Sequence, residues 1–248
     1  MSGAAVITGA ARRIGRVLAV QAARSGYDVA VHHRDSDAEA EETAALVRAE
    51  GRRGCVLAGD LTDPGIGDLI GRAEAALGPV TLLVNNASLF IDDRLQSFDA
   101  AIFDAHIATN LRAPALLAQA MAARLPEGVS GVIINILDQR VWRPNPQFFG
   151  YSLSKAALWH ATQTMAQALA PRIRVNAIGP GPTLGSVHQA PGEFEREAAG
   201  TPLGHSVSPD EIAAALRYLI DAPSVTGQMI AVDSGQHLGW LTPDIVHP

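Results

Sequence analysis

Tyr151 and Lys155 stand four positions apart, and Asp138 precedes them at the end of an apolar run, Val132 to Leu137. Side chains at i and i+4 share a helix face, so the phenol and the ammonium can point into one space. An ammonium beside a phenol favours the phenolate, and Lys155 is expected to lower the Tyr151 pKa from about 10. A tyrosine tuned in this way gives or takes a proton near neutral pH. Asp138 adds an acid just upstream, followed by a loop with Trp142, Arg143, Pro144, Pro146, Phe148 and Phe149. A Tyr-x-x-x-Lys spacing arises easily by chance, so its meaning rests on what positions it.

The positioning elements alternate. Apolar runs at Ala4–Ile7, Tyr27–His32, Cys55–Ala58, Val80–Val84, Val132–Leu137, Arg174–Ile178 and Met229–Val232 read as strands. Between them lie helical patterns: Val17–Ala23, Ser36–Glu50, Gly65–Leu77, Asp99–Leu125, Ser152–Leu169 and Pro209–Asp221. Pro114 is expected to kink the long fourth helix or to start a second section of it. Strands alternating with helices predict a single α/β domain over 1–248, a Rossmann-type doubly wound parallel sheet of about seven strands with helices on both faces. Residues 182–208 are rich in Gly, Pro and charge without clear periodicity, and are expected to form a substrate-covering flap. The tail, 236–248, carries Trp240 and is expected to pack on a neighbouring subunit.

Composition narrows the class. The chain is 48% hydrophobic and carries a formal net charge of −6, enough apolar material for a core and the wrong sign for a non-specific nucleic-acid binder. No apolar run reaches membrane-spanning length, and no signal peptide is expected before the first strand. Cys55 is the only cysteine, which suits a cytoplasmic protein. No Cys/His grouping has metal-ligand spacing, so no metal is expected.

In such sheets ligands bind beyond the carboxyl ends of the strands. Gly9 and Gly15 sit at the first of these ends, where a tight turn before a helix can receive a phosphate. Arg12 and Arg13 add positive charge there. The second strand ends in His32-His33-Arg34-Asp35. Arg34 with one or both histidines suits the 2′-phosphate of NADP(H), whereas Asp35 could instead approach a ribose. Asp60, ending the third strand, could bind an adenine amino group.

Taken together, Thr8-Gly9 with Ile14-Gly15, Asp60-Leu61, Asn85-Asn86-Ala87, Asn110, Tyr151 with Lys155, Pro180-Gly181 and the terminal Val232-Asp233-Ser234-Gly235 resemble the short-chain dehydrogenase/reductase family along nearly the whole chain. Two departures narrow the resemblance. Arg13 stands where the family commonly has glycine, and Asp138 stands where it has a catalytic serine. With Ser88, Phe90 and the His-Arg pair, these resemble the pteridine reductase branch, which includes dihydromonapterin reductases. Charge and the short apolar runs lead us to expect no nucleic-acid or membrane partner. The resemblance implies NADPH-dependent reduction of a pterin ring and a homotetramer. It implies cofactor contacts from Gly9, Arg12, Arg13, Ile14, Gly15, His33, Arg34, Asp60, Leu61, Asn86, Ala87, Tyr151, Lys155, Pro180, Gly181 and Thr183. Arg13, Ser88, Phe90, Asp138, Trp142 and Tyr151 would line the substrate site.

The chemistry of these groups agrees. Reducing a ring C=N requires protonating nitrogen, and an acid beside Tyr151 can supply or relay that proton, or bind an amino-pyrimidine edge. Lys155 would hold the nicotinamide ribose, Asn110 would support a water linking Lys155 to solvent, and Phe90 could stack on a flat heterocycle. Two other functions stay open: an alcohol dehydrogenase or carbonyl reductase with Asp138 in place of serine, and a non-catalytic NADP-binding regulator.

Overall fold

The chain folds around seven parallel strands: β1 (Ala4–Ile7), β2 (Asp28–His33), β3 (Gly54–Ala58), β4 (Val80–Asn85), β5 (Gly131–Ile136), β6 (Ile173–Pro180) and β7 (Met229–Val232). The computed structural model describes residues 3–185 and 189–240. Strand order is β3-β2-β1-β4-β5-β6-β7, so the winding reverses between β1 and β4. That reversal opens a crevice at the carboxyl ends of those two strands. The expected doubly wound sheet is the one observed.

Both sheet faces are covered, which is why the central strands read as unbroken apolar runs. On one side Ala5, Ile7, Val29 and Val31 pack against Leu18, Ala44, Ile212 and Leu216. These come from helices α1 (Arg13–Arg24), α2 (Asp37–Ala49) and α8 (Pro209–Asp221). On the other, Ala4, Val6, Leu83 and Ile133 pack against Leu69, Leu117, Met121 and Ala166. Those sit on α3 (Asp68–Leu77), α5 (Ala113–Arg124) and α6 (Phe149–Leu169), with α4 (Ala100–Ile107) just before α5. Each fully buried Leu or Ile contributes roughly 1.5–3 kcal/mol. The start of α8 is local in origin: Ser208 and Glu211 form a reciprocal capping box, with Pro209 in the first turn.

The helix predicted over Asp99–Leu125 is divided next to Pro114, as expected: a π-helical turn, Ala108–Arg112, joins α4 to a second section that starts at Ala113. Pro114 has no N–H to offer the carbonyl four residues back, that of Asn110, so regular α-geometry is lost just there. Helix α6 starts at Phe149, three residues before the predicted Ser152, which puts Tyr151 in its first turn. Part of the segment predicted to be an unpatterned flap forms a short helix, α7 (Glu193–Ala199). Most of the tail, residues 241–248, lies outside the described residues.

His32, at the end of β2, binds two strand-end loops together. Its Nδ1 accepts the Gly9 N–H at 3.2 Å, and its Nε2 lies 3.1 Å from the Gly59 carbonyl oxygen. A ring accepting at Nδ1 carries its proton on Nε2, so the second contact is a donated hydrogen bond. Burial, as the largest cause, brings the His32 pKa down to about 4 from 6.5. The folded state therefore resists protonation that the unfolded chain accepts. This stability is intact above about pH 6.5 and is lost as pH falls toward about 4. At ~1.4 kcal/mol per pKa unit, on the order of 3 kcal/mol is involved. A His32→Gln variant is expected to be less stable at neutral pH and to lack this part of the acid slope; urea midpoints measured across that pH range check it.

Candidate active site

Beyond the strand ends lies a cleft of about 750 Å³, whose lining includes Asp138, Tyr151 and Lys155. Tyr151 and Lys155 come from the first two turns of α6 and are 6% and 2% exposed. Asp138 follows β5. The Tyr151 hydroxyl donates to Asp138 Oδ2 at 2.9 Å, and the Arg140 N–H donates to Oδ1 at 2.8 Å. The carboxylate is thus fixed at both oxygens. A second depression, about 670 Å³, is lined by Leu125, residues 127–130 and residues 171–172, at the opposite ends of β5 and β6. Its charged side chains, Glu127 and Arg172, stand far from this chemistry. Among the described residues no group of three or more His, Cys, Asp or Glu could hold a metal.

The electrostatics reverse one expectation. Lys155 Nζ donates to the Ile136 carbonyl at 2.7 Å and stands 5.7 Å from the centre of the Tyr151 ring. The phenol is not lowered. Burial, then the Asp138 charge and its hydrogen bond, push Tyr151 well above its ordinary 10. Burial likewise raises the Asp138 carboxyl, against the opposing pull of Arg140, Tyr151 and Lys155. Burial brings Lys155 down to about 8, while Asp138 holds it up. With burial and the neighbouring Asp138 charge both raising it, Tyr151 is a neutral phenol across the physiological range.

The side chain of Asn110 is engaged within the protein. Its Oδ1 accepts from the Leu89 N–H at 2.8 Å and from Ser88 Oγ at 3.2 Å. Its Nδ2 donates to Leu89 O and to Ser154 Oγ, both at 3.0 Å. The amide therefore joins the loop after β4 to α6. Phe90 and Ser88, carried by that loop, line the cleft. Phe90 stacks on Phe148 at 4.1 Å between centroids and meets Tyr151 edge-on at 4.7 Å. Trp142, predicted to touch substrate, is not in the cleft wall. It packs edge-on against Trp159 and His237, at 6.4 and 5.1 Å, because the turn after Asp138 points its ring away from the cleft.

At the other end, α1 begins with no side-chain cap and no acid in its first turn. Gly9 has φ +61°, and a Cβ on Gly15 would lie 2.1 Å from the Gly9 carbonyl oxygen. Bare N–H groups and a turn without side-chain bulk fit a pyrophosphate. Arg13 adopts φ +54° at the family's glycine position, a strain of roughly 1–2 kcal/mol. Its guanidinium donates to the carbonyls of Leu184 and Gly185 at 3.2 Å. Asn86 Nδ2 donates to Thr8 O and Gly9 O, holding the loop after β4 against the glycine turn. Ile14, Asn86, Pro180, Gly181 and Thr183 line the cleft, as does Arg13. Ala87 packs on Gly9.

Other predicted cofactor residues lie outside the lining of this cleft. Arg12 pairs with Glu39 at 3.4 Å, on the α2 side. His33 is 2% exposed and accepts the Ser36 N–H at the start of α2. Leu61 is a core residue packed with Ile66 and Leu69. Asp60 accepts from the Thr62 N–H and hydroxyl at 2.8 Å, which holds its carboxyl below the usual range. Arg34 is exposed and donates to Asp35 at 2.7 Å, so the acid that competed for a ribose in the sequence is its neighbour's partner. Sequence reasoning missed Thr8, whose hydroxyl accepts from the N–H groups of Asn86 and Ala87. It also missed Asp93, a buried carboxylate at the start of α6.

A strand-turn-helix crevice, an acid–tyrosine pair and a lysine one turn on define a dinucleotide-type oxidoreductase site. The family model described as enoyl-(acyl carrier protein) reductase matches residues 9–237. The chain belongs to the short-chain dehydrogenase/reductase family. It is similar to the crystal structure of FolM alternative dihydrofolate reductase 1 from Brucella canis complexed with NADP, with 48% identity, a TM-score of 0.95, and coverage of 98% of this chain and 97% of that one. An uncharacterized oxidoreductase of Mycobacterium tuberculosis is 35% identical over 93% of this chain and 90% of its own length. The 3-oxoacyl-[acyl-carrier-protein] reductase FabG of Staphylococcus aureus is 30% identical over 96% of this chain and 99% of its own.

Because Asp138 raises both of its neighbours, removing its charge has a signed consequence. In Asp138→Asn the Tyr151 phenol is expected to titrate at lower pH and Lys155 to fall below about 8. Phenolate absorbance titrations, with Tyr151→Phe to assign the signal, check the first. Carbon NMR of methylated Lys155 checks the second.

Proposed function

We propose that this protein is an NADPH-dependent reductase of a pterin-type ring, taking a dihydropterin or dihydrofolate to the tetrahydro form. The observation that carries this reading is the hydrogen bond from Tyr151 to Asp138, in place of the tyrosine–serine pair of ordinary carbonyl reductases in the family. The similarity to a dihydrofolate reductase crystallised with NADP supports both substrate class and cofactor.

NADPH, when bound, supplies the hydride that adds to the ring carbon of a C=N bond. The glycine turn and α1 would hold its pyrophosphate, with Lys155 at the nicotinamide ribose and Arg34 at the 2′-phosphate. The ring nitrogen then needs one proton. The Tyr151 hydroxyl gives it, and the Asp138 carboxyl, whose affinity for a proton is raised by burial, relays a proton from solvent to replace it on the phenol oxygen. A ketone oxygen needs only one neutral donor and a hydroxyl to hold it. A ring nitrogen flanked by amino-pyrimidine N–H groups matches a carboxyl that can both donate and accept. Phe90 provides a flat wall for such a ring. Because this relay requires Asp138 to take up a proton, turnover should fall as pH rises through the elevated Asp138 pKa.

A second reading, a carbonyl reductase or alcohol dehydrogenase, is favoured by the curated relatives, which include a 3-oxoacyl reductase. It calls for a phenolate base in the oxidative direction, which the upward shift of Tyr151 disfavours. The pterin reading extends to a homotetramer in the cytoplasm. Exposure of Leu238 at 62% and Trp240 at 57% supports a tail that packs on a neighbour. Deleting residues 239–248 should then lower the mass seen by light scattering.

The deciding assay is NADPH oxidation with dihydropterin and dihydrofolate beside a panel of ketones. Pterin turnover is expected, with Tyr151→Phe and Asp138→Ala each losing about 100-fold or more. Turnover of ketones alone would establish the second reading. Tight NADPH binding with neither would establish a regulatory protein.

A further inference from the structure

We propose that Asp93 is a positioning residue that sets Tyr151 against the substrate wall; this rests on Tyr151 being the proton donor. The first N–H groups of a helix have no acceptor within it. In α6 that duty does not fall to the preceding residue, because Phe148, at φ +52°, offers no side-chain cap. Asp93, 57 residues earlier, takes it over. Its carboxylate accepts the Gly150 N–H at 2.9 and 3.1 Å, and its carbonyl accepts the Phe149 N–H at 3.3 Å. Asp93 is 5% exposed, so water offers little competition for these bonds. A negative charge also complements the positive end of the helix dipole.

The position matters because of what lies on each side. Gly150 is bonded to Asp93 and is followed at once by Tyr151. Asp93 itself belongs to the loop after β4, which presents Ser88, Phe90, Asp92 and Arg94 to the cleft. The carboxylate therefore fastens the substrate wall to the helix that carries the proton donor. The fit is close: a Cβ on Gly150 would lie 2.9 Å from Asp93 Oδ2 and 3.1 Å from His106 Nδ1. His106 is fully buried, and its Nε2 accepts the Ile91 N–H of the same loop.

Three variants test this: Asp93→Ala, Asp93→Asn, which keeps an acceptor oxygen, and Gly150→Ala, which displaces the carboxylate without removing it. With dihydropterin, Asp93→Ala and Gly150→Ala should lose about 10- to 100-fold in kcat, the scale expected for an ångström of misplacement. NADPH binding, read by fluorescence, should be unchanged, and Asp93→Asn should recover most of the loss. In a Tyr151→Phe background Asp93→Ala should cost nothing more. An undiminished kcat in both Asp93→Ala and Gly150→Ala, or a full extra loss in the Tyr151→Phe background, would overturn the proposal. Carbon NMR of the three tyrosine ring signals reads position without activity. The Tyr151 signal should move in Asp93→Ala and Gly150→Ala and stay in place in Asp93→Asn. If the wild type reduces no dihydropterin, the functional reading fails, and an unmoved Tyr151 signal then sinks the positioning role separately.

Discussion

One hydrogen bond, from the Tyr151 phenol to the Asp138 carboxylate, constrains the rest of the site. It lies under the cleft, where water is scarce and charge is costly. Two acids placed this close cannot both ionise at neutral pH, so the pair retains a proton whatever its surroundings do. The site is thereby biased toward giving protons. Lys155 counters this bias only in part: its charge lowers the Asp138 carboxyl, but its ammonium is hydrogen-bonded to the Ile136 carbonyl rather than to either acid. Arg140 contributes its main-chain N–H to the carboxylate and a lowering charge to both acids.

Keeping that bond in register requires several elements that share no local sequence. Asp138 is set by β5, which lies between β4 and β6. Tyr151 is set by α6, whose early turns are tied to the loop after β4 by Asp93 and by Asn110 through Ser154. Deeper in, Asn85 on β4 donates to Asn135 on β5, which donates to Thr162 on α6. This buried polar chain prevents strand and helix from sliding, because a shifted register would leave each amide unpaired.

The cofactor end shows the same economy. A left-handed backbone is tolerated at Arg13, where glycine would be strain-free, and the side chain uses that geometry to reach the carbonyls at 184–185. The glycine turn is also held from beneath by His32 and from the side by Asn86 and Thr8. The family's recurrent residues here act on one another.

The amino-acid sequence alone determined the alternation of strands and helices, the parallel sheet and the family, because buried strands and amphipathic helices leave periodic traces over short spans. It also brought Tyr151, Lys155 and Asp138 together, since a strand end and a helix face are local geometry. Tertiary structure decided the rest. The direction of the Tyr151 shift depends on burial and on which group the ammonium meets, and neither is a property of a four-residue spacing. Trp142 was misplaced because the partners of its ring, Trp159 and His237, come from distant parts of the chain. Helix α6 begins earlier than its own residues signal because its cap, Asp93, comes from 57 positions away, where no local pattern could reveal it.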